Sequence, residues 1–174
     1  RQLGDRGVPC GDDRADRTAF AALKQRLRFP VDYHGGEGGP VYEEKLLEHF
    51  VAWDLLGLSE RKERWPYVDI ASASSPWASL LRAQGFEAFS MDLAPHPSLA
   101  HLPYTITSDA TACPLENASI GSASLQCAYE MFAGDADVRL LAELARILRP
   151  DGRVVISPLY THVEACYYQS PEHA

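Results

Sequence analysis

The chain has 174 residues, 46% of them hydrophobic, enough to bury one substantial core and too few for two ordinary domains. Its net charge of -8, with a pI near 5.2, leaves no broad basic face to neutralise phosphates or coat an anionic membrane, so neither nucleic acid nor membrane is an expected partner. No apolar run approaches the roughly 18 residues that span a bilayer and no charged-then-apolar leader opens the sequence, which makes the cytoplasm the expected compartment.

Residues 1–13 are rich in Gly and Asp, lack periodicity and predict a loose start. Phe20, Leu23 and Leu27 then recur at helical spacing and predict a helix over 14–28, stopped by Phe29-Pro30 because the residue before proline avoids the helical region. Gly35, Gly36, Gly38 and Gly39 mark a flexible loop or hinge, since no Lys-Ser/Thr follows and no strand precedes to make a phosphate loop. Pro40 fits the first position of the next helix, with Tyr42, Leu46, Phe50 and Trp53 on one stripe and Gly57 at its end. A charged linker over 59–64 closes a helical N-terminal extension of residues 1–64.

From residue 65 the pattern changes to alternating strands and helices. A strand over 67–71 leads through the small residues Ala71-Ser72-Ala73-Ser74-Ser75 into a helix over 76–84, capped by Ser75 and ended by Gly85. A second strand over 87–91 ends at Asp92, a Pro- and His-containing connection spans 94–103, and a third strand covers 104–107. The fourth strand, 119–126, is less apolar, with Ile120, Ala123 and Leu125 its expected buried positions. A helix over 135–148 carries Val138, Leu141, Leu144 and Leu148 on one face, and Pro150-Asp151-Gly152 turns the chain into a fifth strand over 153–157. This alternation predicts an α/β fold with a doubly wound, mostly parallel sheet, whose ligands bind beyond the carboxyl ends of the strands.

That rule gathers the turn 71–75, Asp92 with Leu93, Asp109 with Ala110, and Gln126 with the residues after it along one edge. Taken in order, Tyr67-Val68-Asp69-Ile70-Ala71, Met91-Asp92-Leu93, Ser108-Asp109-Ala110-Thr111 and Leu148-Arg149-Pro150-Asp151-Gly152-Arg153 resemble the motifs of class I, Rossmann-like S-adenosylmethionine-dependent methyltransferases. The resemblance covers residues 65–160 and makes 65–174 a core for S-adenosyl-L-methionine. By that resemblance, Asp92 accepts from the ribose hydroxyls with Leu93 beside it, and Asp109 and the Ala110 backbone hold adenine. Asp69 faces the methionine end directly or through water, and Ala71, Ala73, Ser75 and Gln126 complete the cofactor site. Ala71, Ala73 and Ser75 stand where the family carries glycine, a departure that bears on affinity because alanine tolerates positive φ poorly.

Methyl transfer needs an in-line nucleophile and close positioning and leaves no universal catalytic signature. Tyr129 and Glu130 after the fourth strand and His162 after the fifth are the catalytic candidates, with Tyr33, His34 and Tyr42 placed to descend from the extension. The absence of an Asn-Pro-Pro-Tyr segment after the fourth strand argues against amide and nucleobase acceptors, leaving a hydroxyl or amine of a small molecule or sugar-type metabolite. Paired acids for magnesium are missing, and Cys10, Cys113, Cys127 and Cys166 show no Cys-x-x-Cys pair, so no metal is expected. A catalytically inactive scaffold or regulatory subunit and a nucleotide-dependent oxidoreductase are the competing readings. By the same resemblance the family's sheet has two further strands beside the fifth, which this sequence is not expected to supply. The open edge of the fifth strand is therefore expected to be covered by the tail 159–169, by a second copy in a homodimer, or by residues beyond Ala174.

Overall fold

The computed structural model describes residues 7, 9, 11, 14–60 and 65–159. Most of the expected loose start, linker positions 61–64 and the tail that carries His162 lie outside these residues.

The first helix, α1 (Arg17–Leu27), begins later than the periodicity implies because the Asp16 carboxylate caps it, accepting from the backbone N–H of Thr18 and Ala19 at 2.8 and 3.1 Å. It ends at Arg28, which takes a left-handed φ of 45°. The glycine segment is a series of hydrogen-bonded turns, with Gly36 N–H donating to Tyr33 and Gly39 N–H to Gly36. A Cβ on Gly36 would lie 2.4 Å from the Val31 carbonyl oxygen, and one on Gly39 would lie 2.3 Å from that of His34. Glycine serves close backbone approach there.

The helix α2 (Tyr42–Leu55) starts after Val41, two residues past the expected Pro40 position, because the chain from Gly39 to Tyr42 is still turning. Its stripe of Tyr42, Leu46, Phe50 and Trp53 is buried, and Gly57 takes the left-handed conformation expected past its end.

Five strands form one parallel sheet in the order β3-β2-β1-β4-β5: β1 (Tyr67–Ile70), β2 (Ala88–Asp92), β3 (Thr105–Thr107), β4 (Ile120–Gln126) and β5 (Leu148–Ser157). The helix α3 (Trp77–Ala83) follows β1, a short α4 (Pro97–Ala100) interrupts the connection expected to be irregular, and α5 (Ala136–Ile147) precedes β5. Helices cover both faces, so β1 is buried along its whole length. On one face α1, α2 and α3 share a cluster with Tyr67, Ala88 and Val155, including Phe50, Trp53, Leu56 and Trp77. On the other, α5 packs with Val68, Ile70, Met91, Ile120 and Leu125.

Two expectations are corrected. The buried line of α5 is Leu140, Leu144 and Ile147, while Val138 and Leu141 are 65% and 44% exposed. Both stripes fit helical spacing and share Leu144; the rotation follows from Glu143, which accepts from Cys113 N–H at 2.8 Å and binds Arg146, itself bonded to the Cys113 carbonyl. The last strand also begins earlier than expected, at Leu148. Its register shifts from Ile120↔Leu148 to Ser122↔Arg153, so Pro150-Asp151-Gly152 is an excursion within the strand. Among the described residues β4 is the one strand paired with β5.

Candidate functional site

Strand order reverses between β1 and β4, and the turn that leaves β1 there is the centre of the site. Ala71 and Ala73 take φ values of 53° and 46°, the left-handed conformation that glycine enters freely and an L-residue enters at a cost of roughly 1–2 kcal/mol. Alanine therefore reproduces a glycine backbone under strain. Ser72 N–H donates to the Met91 carbonyl at 3.1 Å and Ser75 N–H to that of Ser72 at 2.7 Å, while Ala73 N–H donates to Asp92 Oδ2 at 2.8 Å. The other Asp92 oxygen accepts from Ala94 N–H at 2.9 Å. Each carboxylate oxygen keeps a second lone-pair direction for a ligand hydroxyl. Asp109 is held in the same manner, by Thr111 N–H at 2.8 Å, and that bond holds its carboxyl below the usual range.

Two cavities meet at this turn. A larger one of about 700 Å³ lies over the ends of β1, β2 and β3 and is walled by Asp92, Leu93, Asp109, Ala110, Ala128 and Phe132, among others. A smaller one of about 190 Å³ lies under α2 and is lined by Asp69, Ser75 and Gln126 from the core and by Tyr33, His34, Lys45, Glu48 and His49 from the N-terminal segment. Ala71, Ala73 and Cys127 line both, so the cavities form one bent trough.

The smaller cavity is dense in buried polar groups. Burial pushes the Asp69 carboxyl up to about 7, against the pull of hydrogen bonds from Ser75 and Ser124, and its Oδ2 has no partner among the described residues. Gln126 Oε1 and His49 Nδ1 are likewise buried without partners. His49 is 3% exposed, its ring stacks on Trp77 at 4.6 Å, and burial drives its pKa down to about 3, so the ring is neutral. Its Nε2 lies 2.8 Å from the Tyr33 hydroxyl. Lys45 Nζ bridges Glu48 Oε1 at 2.9 Å and Cys127 Sγ at 2.7 Å. Burial opposes the Lys45 charge, but the bonds to Cys127 and Glu48 outweigh it and push the amine up to about 12.

Asp69, Ala71, Ala73, Ser75, Asp92, Leu93, Asp109, Ala110 and Gln126 all line the trough. Tyr33 and His34 do reach it, whereas Tyr42 is buried beneath the Lys24 amine. Tyr129 is half-buried against the core, Glu130 is exposed, and neither is among the residues lining the two cavities; His162 lies outside the described residues. Sequence reasoning missed Lys45, Glu48 and His49, and placed Cys127 on this edge without giving it a role. A signal for His49 was present, since it lies three residues after Leu46 on the buried stripe of α2. Among the described residues no cluster of His, Cys, Asp and Glu is arranged to hold a metal, and no helix is long and apolar enough to cross a membrane.

A family model described as "Methyltransferase domain" matches residues 68–156. A search of curated proteins finds no match. Among solved structures, a protein from Pyrococcus horikoshii aligns at 17% identity with a TM-score of 0.56, over 78% of this chain and 60% of its own. The 1,6-didemethyltoxoflavin-N1-methyltransferase of Burkholderia thailandensis, crystallised with 1,6-didemethyltoxoflavin and S-adenosylhomocysteine, aligns at 21% identity and TM-score 0.54, over 85% of this chain and 66% of its own. This chain thus spans about 60–66% of the length of those two proteins, and at such identities they show a shared fold.

Proposed function

The chain belongs to the S-adenosylmethionine-dependent methyltransferase domain family, and from that membership we propose that its trough binds S-adenosyl-L-methionine and serves methyl transfer to a hydroxyl or amine of a small molecule or sugar-type metabolite. The observation that carries the reading is the bent trough itself. Three acids, Asp69, Asp92 and Asp109, stand at or beside the ends of three neighbouring strands around a cavity pair shaped for a nucleoside joined to an amino acid.

The residues fit the cofactor's parts. In the larger cavity Asp92 offers its free lone pairs to ribose hydroxyls, while Asp109 and Ala110 with the apolar Leu93 and Phe132 suit a purine. In the smaller, Asp69 Oδ2 and Gln126 Oε1 are buried acceptors that a ligand ammonium would satisfy. The left-handed turn at Ala71 and Ala73 already has the backbone that a closely approaching ligand requires. When bound, the cofactor supplies the electrophilic methyl group. This chain's residues supply position, exclusion of water by the α2 wall, and a place for the acceptor's proton.

Tyr129, Glu130 and His162 remain acceptor-side candidates in this reading by their place after β4 and β5, joined by Glu48 and Lys45 from α2. In the same reading the outer edge of β5 is a surface for a second copy of the chain, for the tail 159–169 or for residues beyond Ala174. A noncatalytic binding module is the rival favoured by the two strained alanines. Calorimetric titration with S-adenosylhomocysteine and with NADH tests the reading: saturable one-to-one binding of the first alone is expected, and silence with both turns the assignment to the noncatalytic module.

A further inference from the structure

Behind Asp69 the core holds an unusual set of polar side chains. Tyr67, Trp77 and Ser124 are at most 1% exposed, and each lies within hydrogen-bond reach of the next. The direction of these bonds follows from what each group can donate. The Trp77 indole N–H is a donor with no acceptor site, so at 2.8 Å it donates to the Tyr67 hydroxyl oxygen. The ionised Asp69 carboxylate accepts only, so the Ser124 hydroxyl donates its single hydrogen to Oδ1 at 3.3 Å. With that hydrogen committed, Ser124 accepts from Tyr67, and it also accepts from the Gln126 amide nitrogen at 3.1 Å. The chain therefore runs one way, from Trp77 through Tyr67 and Ser124 to Asp69, and every bond polarises the next. Its two loose ends are the buried, unpartnered acceptors Asp69 Oδ2 and Gln126 Oε1, on two residues that line the smaller cavity.

We propose that Trp77, Tyr67 and Ser124 are positioning residues for ligand binding, a relay that holds Asp69 by Oδ1 and leaves Oδ2, beside Gln126 Oε1, open to a protonated amine. The inference rests on the cofactor reading above, in which that amine belongs to the methionine end of the ligand. A purely packing role would not call for hydroxyls here, since β1 and β4 are buried on both faces and apolar side chains fill such strands. The donors also work against burial in the right sense. Desolvation favours a neutral Asp69, and the bonds from Ser75 and, through the relay, from Ser124 oppose it.

Other charges around the carboxylate set a background that the relay must act upon. From α2 the cavity receives Lys45, Glu48 and His49, and from the preceding segment Tyr33 and His34. Cys127 enters after β4, and Asp92 raises the Asp69 proton affinity from the end of β2.

The test uses Tyr67→Phe and Ser124→Ala, which keep most of the volume and remove hydroxyls, with Ser124→Thr as the conservative control. Calorimetry with S-adenosylhomocysteine across neutral pH should show affinity falling as Asp69 takes up a proton, with the midpoint displaced to higher pH in both variants. Affinity at alkaline pH should drop roughly fivefold to tenfold, the worth of one or two lost donors to a charged group, and Ser124→Thr should restore the wild-type profile. Carboxyl carbon NMR of Asp69 in the ligand-free protein reads the same midpoint directly. Wild-type protein that fails to bind S-adenosylhomocysteine defeats the cofactor reading, and the carboxyl titration then still decides the relay. An unmoved Asp69 midpoint in Tyr67→Phe and Ser124→Ala overturns the relay, even if both variants melt at lower temperature.

Discussion

The two halves of the trough hold their acids by different means. In the larger cavity, Asp92 and Asp109 sit at the open ends of strands, where backbone N–H groups of Ala73, Ala94 and Thr111 fix them. Strand ends and the backbone of the turns beside them build that half. In the smaller cavity, Asp69 is 2% exposed and is held by side-chain hydroxyls, facing groups that α2 brings from a separate segment of the chain. The consequence is electrostatic. The Thr111 N–H bond holds the partly solvated Asp109 carboxyl below the usual range, whereas burial pushes Asp69 up to about 7. One half is suited to constant polar recognition, and the other to recognition that depends on protonation.

The comparison is broken most severely by Asp92→Ala. Loss of the acceptor for Ala73 and Ala94 N–H, together with the ribose contacts, should weaken S-adenosylhomocysteine binding by about 3 kcal/mol, roughly a hundredfold. An unchanged dissociation constant by calorimetry would detach the larger cavity from the ligand.

On the other side, Lys45→Met leaves the 7%-exposed Glu48 without its cation. Removing one member of a buried pair costs about 3 kcal/mol of stability when the other stays charged. Urea denaturation should report a loss of that order. A change below about 0.5 kcal/mol would mean that the pair behaves like a surface ion pair.

Asp69→Asn should separate binding from stability. The Asp69 pKa is raised in the folded protein to about 7 from 3.8, so its contribution to stability is complete below the unfolded value and is lost as pH rises through the folded one. At pH above about 7 the wild type therefore bears a buried charge that the asparagine variant lacks. Thermal unfolding at alkaline pH should show a higher Tm for the variant, by ~2–4 °C per kcal/mol gained, with the advantage fading in acid. Affinity for S-adenosylhomocysteine should fall about tenfold, the scale of a charge-assisted hydrogen bond, and lose its pH dependence. A lower Tm for the variant at alkaline pH would contradict the burial argument.

The smallest effect is expected at the joint. Ala71→Gly and Ala73→Gly each relieve a left-handed alanine worth about 1 kcal/mol, partly offset by the greater freedom of glycine in the unfolded chain. Stability and affinity should be equal or better, and a marked loss of affinity would show that the methyl groups themselves shape the ligand site.

Legibility in the sequence followed the same division. Asp92, Asp109 and the small-residue turn were readable because strand ends and turn chemistry are local signals, and the parallel sheet follows from alternation of period. The rotation of α5 was misread because Leu144 belongs to two stripes of equal spacing, and only the Glu143–Arg146 contact with the Cys113 loop distinguishes them. Lys45 and Glu48 were passed over because they look like the ordinary polar complement of an amphipathic helix. They meet the turn after β4 at Cys127, whose φ of 50° accompanies a thiol within reach of both side chains. Tyr67 and Ser124 read as neutral strand residues, and their relay exists only once β1 and β4 are side by side.

A crystal structure with S-adenosylhomocysteine tests the account most directly. The account predicts one ligand bent through Ala71, Ala73 and Cys127, its ribose on Asp92, its purine against Asp109 and Ala110, and its ammonium on Asp69 Oδ2 and Gln126 Oε1. A ligand confined to one cavity, or seated away from Asp69 and Asp92, would contradict it.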